Sequence, residues 1–129
     1  MMFRIMQTII MALGLASVAS ADVVKPALVE ISANTKGTVN IEVRASIEAL
    51  LTGINARFKN TQDAPTAEQY DALRVLPADQ LQAEFGPFKQ AFLSQIWLKA
   101  DKQTVPLEMT DVWIPEPGYP KVPRISVIT

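Results

Sequence analysis

The 129-residue chain has no cysteine and no histidine. The first absence removes disulfides, thiolate nucleophiles and cysteine-ligated zinc; the second removes the usual general base at neutral pH and the commonest metal ligand. Positive charge is also missing: twelve Lys+Arg against thirteen Asp+Glu leave a formal charge of −1. A surface that cannot neutralise phosphates makes nucleic acid a poor partner. Aromatic residues are 7% of the chain, and no calcium-loop spacing, phosphate-cradling glycine loop or nucleophile elbow occurs. Most familiar catalytic constellations are excluded, and no cofactor is expected.

The opening residues form a targeting pattern. Arg4 supplies a short basic start, an apolar run follows to Val18, and the small triplet Ala19-Ser20-Ala21 precedes Asp22. That is the three-part layout of a secretory signal peptide cleaved after Ala21. The run is shorter than the roughly 20 apolar residues that cross a bilayer, so cleavage is favoured over a signal anchor or a buried amphipathic helix. Without a cysteine or an arginine pair, lipoprotein attachment and twin-arginine export are not expected. The expected product is one exported domain, Asp22 to Thr129, on the periplasmic side of the inner membrane in a Gram-negative cell.

Apolar periodicity then predicts strands, helices and strands again. Ala27 to Ser32 and Thr38 to Ala45 alternate apolar and polar residues around the turn cluster Asn34-Thr35-Lys36-Gly37, the pattern of a β-hairpin. Val39, Ile41 and Val43 fall on its buried face, with Val29 and Ile31 as their inward counterparts. Ile47, Leu50, Leu51 and Ile54 form a helical stripe behind a Ser46 N-cap and before Gly53. Thr66 with Gln69 fits a capping box opening a helix with Tyr70, Leu73 and Leu76 inward. Pro77 starts the next helix, whose face Leu81, Phe85, Phe88, Phe92 is interrupted at Gly86-Pro87, where proline forces a break or kink.

From Ile96 the alternation returns: Ile96 to Ala100, a turn at Asp101-Lys102-Gln103, then Thr104 to Ile114. Within the last segment Val105, Leu107 and Met109 share one parity, while Val112 and Ile114 share the other, which calls for a bulge near Thr110-Asp111. Residues 115–123 are proline-rich and extended. Ile125 and Val127 begin another strand, and the chain reaches Thr129 as that strand is established, which predicts a polypeptide that continues and a last strand left unpaired in a fragment. The expected fold is α+β: a sheet or incomplete β-sandwich with a two- to three-helix insert.

The remaining chemistry is sparse. Asp63, Glu68 and Asp71 could converge on a cation or act as acid and base, but acids in a first helical turn complement its dipole and are expected in water. Glu108 and Asp111 are expected to face solvent as well. Trp97, Trp113 and Tyr119 are the candidate contact surface; the competing expectation is that both tryptophans cover the sheet beneath the helices.

Lys25-Pro26-Ala27-Leu28-Val29-Glu30-Ile31, Glu48-Ala49-Leu50-Leu51-Thr52-Gly53-Ile54, Tyr70-Asp71-Ala72-Leu73-Arg74 and Ile114-Pro115-Glu116 resemble the exported N-terminal region of HupE/UreJ-like membrane proteins. These are framework patterns spread over nearly all of the chain after Ala21. The resemblance implies a soluble exported domain preceding transmembrane helices, in a family associated with nickel handling for hydrogenase and urease maturation. With no hydrophobic span after residue 21 and no histidine, no metal site carries over to these residues. The expected role is a non-catalytic domain whose partner is the membrane portion of the same polypeptide or a periplasmic protein. The alternative is a free periplasmic module binding a peptide, glycan or protein.

Overall fold

The computed structural model describes residues 24–55, 57–118 and 124–129. The signal segment, its cleavage point at Ala21, and Tyr119 lie outside the described residues. Strands β1 (Leu28–Ala33) and β2 (Val39–Ala45) form the expected hairpin. Its turn is shaped by Gly37 at φ 80°, and by Asn34, whose Oδ1 accepts from the amides of Lys36 and Thr38 at 3.0 Å each. Helix α1 (Ile47–Thr52) follows at once. Ser46 caps it by accepting from the Ala49 amide at 3.2 Å, and Gly53 ends it in the left-handed region that glycine enters without a Cβ penalty.

A short 3-10 turn (Thr61–Asp63) leads to α2 (Ala67–Arg74), α3 (Ala78–Phe85), a second 3-10 turn (Gly86–Phe88) and α4 (Lys89–Ser94). The break expected at Gly86-Pro87 is this 3-10 turn. It keeps Phe85, Phe88 and Phe92 together, with ring centroids 6.0–6.5 Å apart. The expected Thr66–Gln69 capping box does not form. The Thr66 hydroxyl instead donates to the carbonyl of Thr52 at 2.8 Å, tying α2 to the end of α1.

Strands β3 (Leu98–Ala100) and β4 (Gln103–Val105) make a small hairpin around Asp101 and Lys102, both at positive φ. Strands β5 (Val112–Trp113) and β6 (Ser126–Ile128) complete the main sheet, in the order β1-β2-β6-β5, antiparallel throughout. The architecture is α+β, two antiparallel sheets with a helical insert between β2 and β3.

Two expectations for the strands are corrected. The segment expected as one strand from Thr104 to Ile114 serves two sheets: Pro106, which has no N–H to give a ladder, ends β4, and pairing resumes only at the far end. The bulge inside it is present, since the amides of Thr110 and Asp111 both donate to the carbonyl of Thr129, at 2.8 and 3.3 Å. β6 is paired on both sides, not left unpaired, and its inward residues are Ser126 and Ile128, with Arg124 before them.

The core lies between the inner sheet face and the helices: Val43, Ala45, Val112, Ile114 and Ile128 from the sheet side against Ile47, Leu81 and Phe85. Val24, Ala49, Ile54, Ala64 and Tyr70 form a second cluster. One polar knot crosses the boundary. Arg124 Nε meets Glu48 Oε1 at 2.7 Å with both side chains almost fully buried, and Ser46 Oγ donates to Glu48 Oε2 at 3.1 Å. The same guanidinium donates to the carbonyls of Leu76, Leu73 and Pro115. Among the described residues no helix is long and apolar enough to cross a membrane.

Candidate docking groove

The expected inward face of the first hairpin is the right face but is not all buried. Register places Val29 opposite Val43, Ile31 opposite Ile41 and Ala33 opposite Val39 on one side. Val43 is 7% exposed, yet Val29 and Ile31 are 53% and 61% exposed, and Val39 is 41% exposed. The reason is length. β6 pairs only with residues 43–45 of β2, so the hairpin runs past the rest of the sheet and its distal half has no layer over it.

Beside this overhang lies an apolar groove of about 410 Å³, within the range of ligand-binding clefts. One wall is β2 from Val39 to Val43, and the other is the extended stretch containing Leu107 and Met109. Its floor includes Phe92, Ile96 and Leu98, and one end is closed by Ile128 and Thr129. Leu107 and Met109 face inward because the bulge shifts the parity of the chain by one residue. Among the described lining residues the only ionisable one is Glu108. Aliphatic walls and a methionine suit an apolar segment.

The aromatic surface expected from sequence is only partly described. Trp97 is 79% exposed just before β3, and Trp113 is 57% exposed on the outward face of β5, opposite Val127. Neither covers the sheet beneath the helices, because the even residues Val112 and Ile114 take the inward positions. No ring contact joins the two tryptophans among the described residues. Trp113 instead belongs to an outer row that runs Leu28, Arg44, Val127, Trp113 across all four strands. Within that face the Arg44 guanidinium, bonded to Glu42 at 2.8 Å and near Glu30, is held above its ordinary pKa.

Asp63, Glu68 and Asp71 are exposed, and Asp71 accepts from Gln62 Nε2 at 2.9 Å. Glu108 and Asp111 are exposed too. Among the described residues no group of three or more acids is placed to hold a metal ion. No family model matches the chain, and neither does a curated protein or a solved structure.

Proposed function

We propose that the chain is a non-catalytic, exported domain of a HupE/UreJ-like integral membrane protein, accessory to metal (nickel) transport, and that it works by docking. The family assignment is supported by the framework segments quoted above, and the exported location by the leader pattern before Asp22. The observation that carries the docking role is the groove: an apolar cleft lined by Val39, Ile41, Leu107 and Met109, beside a hairpin whose Val29 and Ile31 also stay exposed. Exposed apolar surface of this kind marks a site of interaction. The buried charges Glu48 and Arg124 are spent on each other and on backbone carbonyls. The partner is an apolar segment of the membrane portion of such a protein.

A free periplasmic binding module is the second reading, favoured by the groove's ligand-like volume. The two separate in a Gram-negative host producing the tagged full chain together with the membrane portion. Recovery at the periplasmic face of the membrane with an N-terminus at Asp22, and release into the soluble periplasm by Leu107→Glu, is the expected result. A cytosolic chain beginning at Met1 overturns the exported reading, and a Leu107→Glu chain that stays on the membrane overturns the docking role.

A further inference from the structure

We propose that the outer edge of β1 pairs with the same edge of a second copy of this chain, antiparallel about a two-fold axis at Ile31, so that two four-stranded sheets join into one. This pairing needs neither the leader nor a membrane partner.

Hydrogen-bond phase fixes which residues the edge offers. In an antiparallel ladder, residues along a strand alternate in which neighbour their backbone groups address. The Asn34 amide donates to the Thr38 carbonyl at 3.0 Å, so the even residues of β1 address β2, and Val29, Ile31 and Ala33 address the open side. The far half of the sheet gives the same phase independently. Thr129 and Asp111 exchange bonds of 2.9 and 3.3 Å, which leaves Ile128 and Ser126 to bond Val43 and Ala45, and the even residues of β2 to bond β1. Among the described residues β1 is the outermost strand on its side, and no bond to the backbone of Val29, Ile31 or Ala33 is found.

The strand carries none of the devices that keep sheet edges apart. Natural edges are blunted by lysine, proline, bulges or brevity. β1 runs against β2 through six successive residues without a bulge, holds neither lysine nor proline, and has Glu30 as its single charge. Its side chains are exposed on both faces, with Val29 at 53% and Ile31 at 61% on the apolar one.

The order of those residues fits the strand to itself. With the axis at Ile31, the pairs across the seam are Ile31 with Ile31, Val29 with Ala33, and Glu30 with Ser32. Three hydrogen-bonded pairs then exchange about six backbone bonds. Apolar residues meet on one face, and on the other each Glu30 carboxylate meets a serine hydroxyl able to donate to it. An axis one residue earlier sets Glu30 directly opposite its own copy in the closer kind of pair, which like charge disfavours. An axis one residue later keeps only the two Ile31–Ala33 pairs within β1, about four bonds. Residues 29–33 of each copy are far fewer than the roughly 20–30 a side of a standard interface, so the dimer exchanges readily with monomer.

Sedimentation equilibrium of the purified chain tests this. The average mass should climb from monomer towards dimer as concentration rises. Ile31→Lys, which sets two like charges against each other at the axis, should weaken association tenfold or more. Leu107→Glu, in the groove, should leave it within twofold. Because the chain has no cysteine, single cysteines report the register without background. Under mild oxidation Ile31→Cys should form a disulfide-linked dimer at least tenfold faster than Glu30→Cys or Ser32→Cys, since only residue 31 meets its own copy within disulfide reach; this readout also serves should Ile31→Lys not fold. A chain that stays monomeric up to millimolar concentration, or a dimer that Ile31→Lys leaves intact, overturns the pairing. Fastest linkage at Glu30→Cys or Ser32→Cys overturns the axis. Loss of the dimer on Leu107→Glu with Ile31→Lys unaffected puts the second copy in the groove and overturns the edge.

Discussion

Removing one member of the Glu48–Arg124 pair should be among the most damaging single changes to the domain. The guanidinium commits four donors, one to Glu48 and three to the carbonyls of Leu76, Leu73 and Pro115, and among the described residues the carboxylate accepts from Arg124 and Ser46. Both side chains are nearly sealed, at 4% and 1% exposure, so neither can recruit bulk water when abandoned. Arg124→Met leaves a buried carboxylate without its counter-charge and takes a donor from each of three carbonyls, at a cost of about 3–5 kcal/mol. Glu48→Gln keeps shape and a hydrogen bond but strands the guanidinium charge; with three carbonyls still accepting, its cost falls at the lower end, about 3 kcal/mol. Removing both charges, with Glu48→Leu and Arg124→Met together, should cost less than the sum by about 2 kcal/mol, since no uncompensated charge remains. Urea unfolding followed by circular dichroism near 15 °C, where such domains are near maximum stability, measures all three. Single variants within about 1 kcal/mol of the parent, or a double variant that is simply additive, would refute the claim that this pair is a sealed, mutually dependent unit.

Phe85→Ala should cost about 3–5 kcal/mol in the same assay, because Phe85 is fully buried and holds Phe88 and Phe92 at the centre of the helical layer. Trp97→Ala and Trp113→Ala should each stay within about 0.5 kcal/mol of the parent, and acrylamide should quench both tryptophans readily; a shielded fluorophore or a large stability loss would place them in the core instead.

The sequence patterns that proved legible were those set by local rules. The first hairpin follows from valine and isoleucine alternation around Asn34 and Gly37, and α1 from Ser46, its apolar stripe and Gly53, each a signal contained within a few residues. The bulge at Thr110-Asp111 was legible as a parity conflict. What escaped was decided by partners distant in sequence. Whether Val29 and Ile31 are covered depends on where β6 stops, some hundred positions on, and the strand itself carries no mark of it. Glu48 reads as an ordinary first-turn acid until Arg124 arrives beside it, and β6 buries Ser126 where its isoleucine and valine neighbours look the better core residues. A charged residue inside an apolar stretch, as Arg124 is between Pro123 and Ile125, was the available clue.

The closed and open ends of the main sheet have one cause. β6 is the strand that joins the hairpin to β5, and it meets β2 only at residues 43–45. Where it runs, the inner row Val43, Ile128, Val112 is complete across three strands and sealed by Ile47, Leu81 and Phe85. Beyond that pairing β2 goes on as the distal half of the hairpin, and the chain before β5 bends through the bulge towards Leu107. The groove between them is apolar because both continue the inner face of the main sheet.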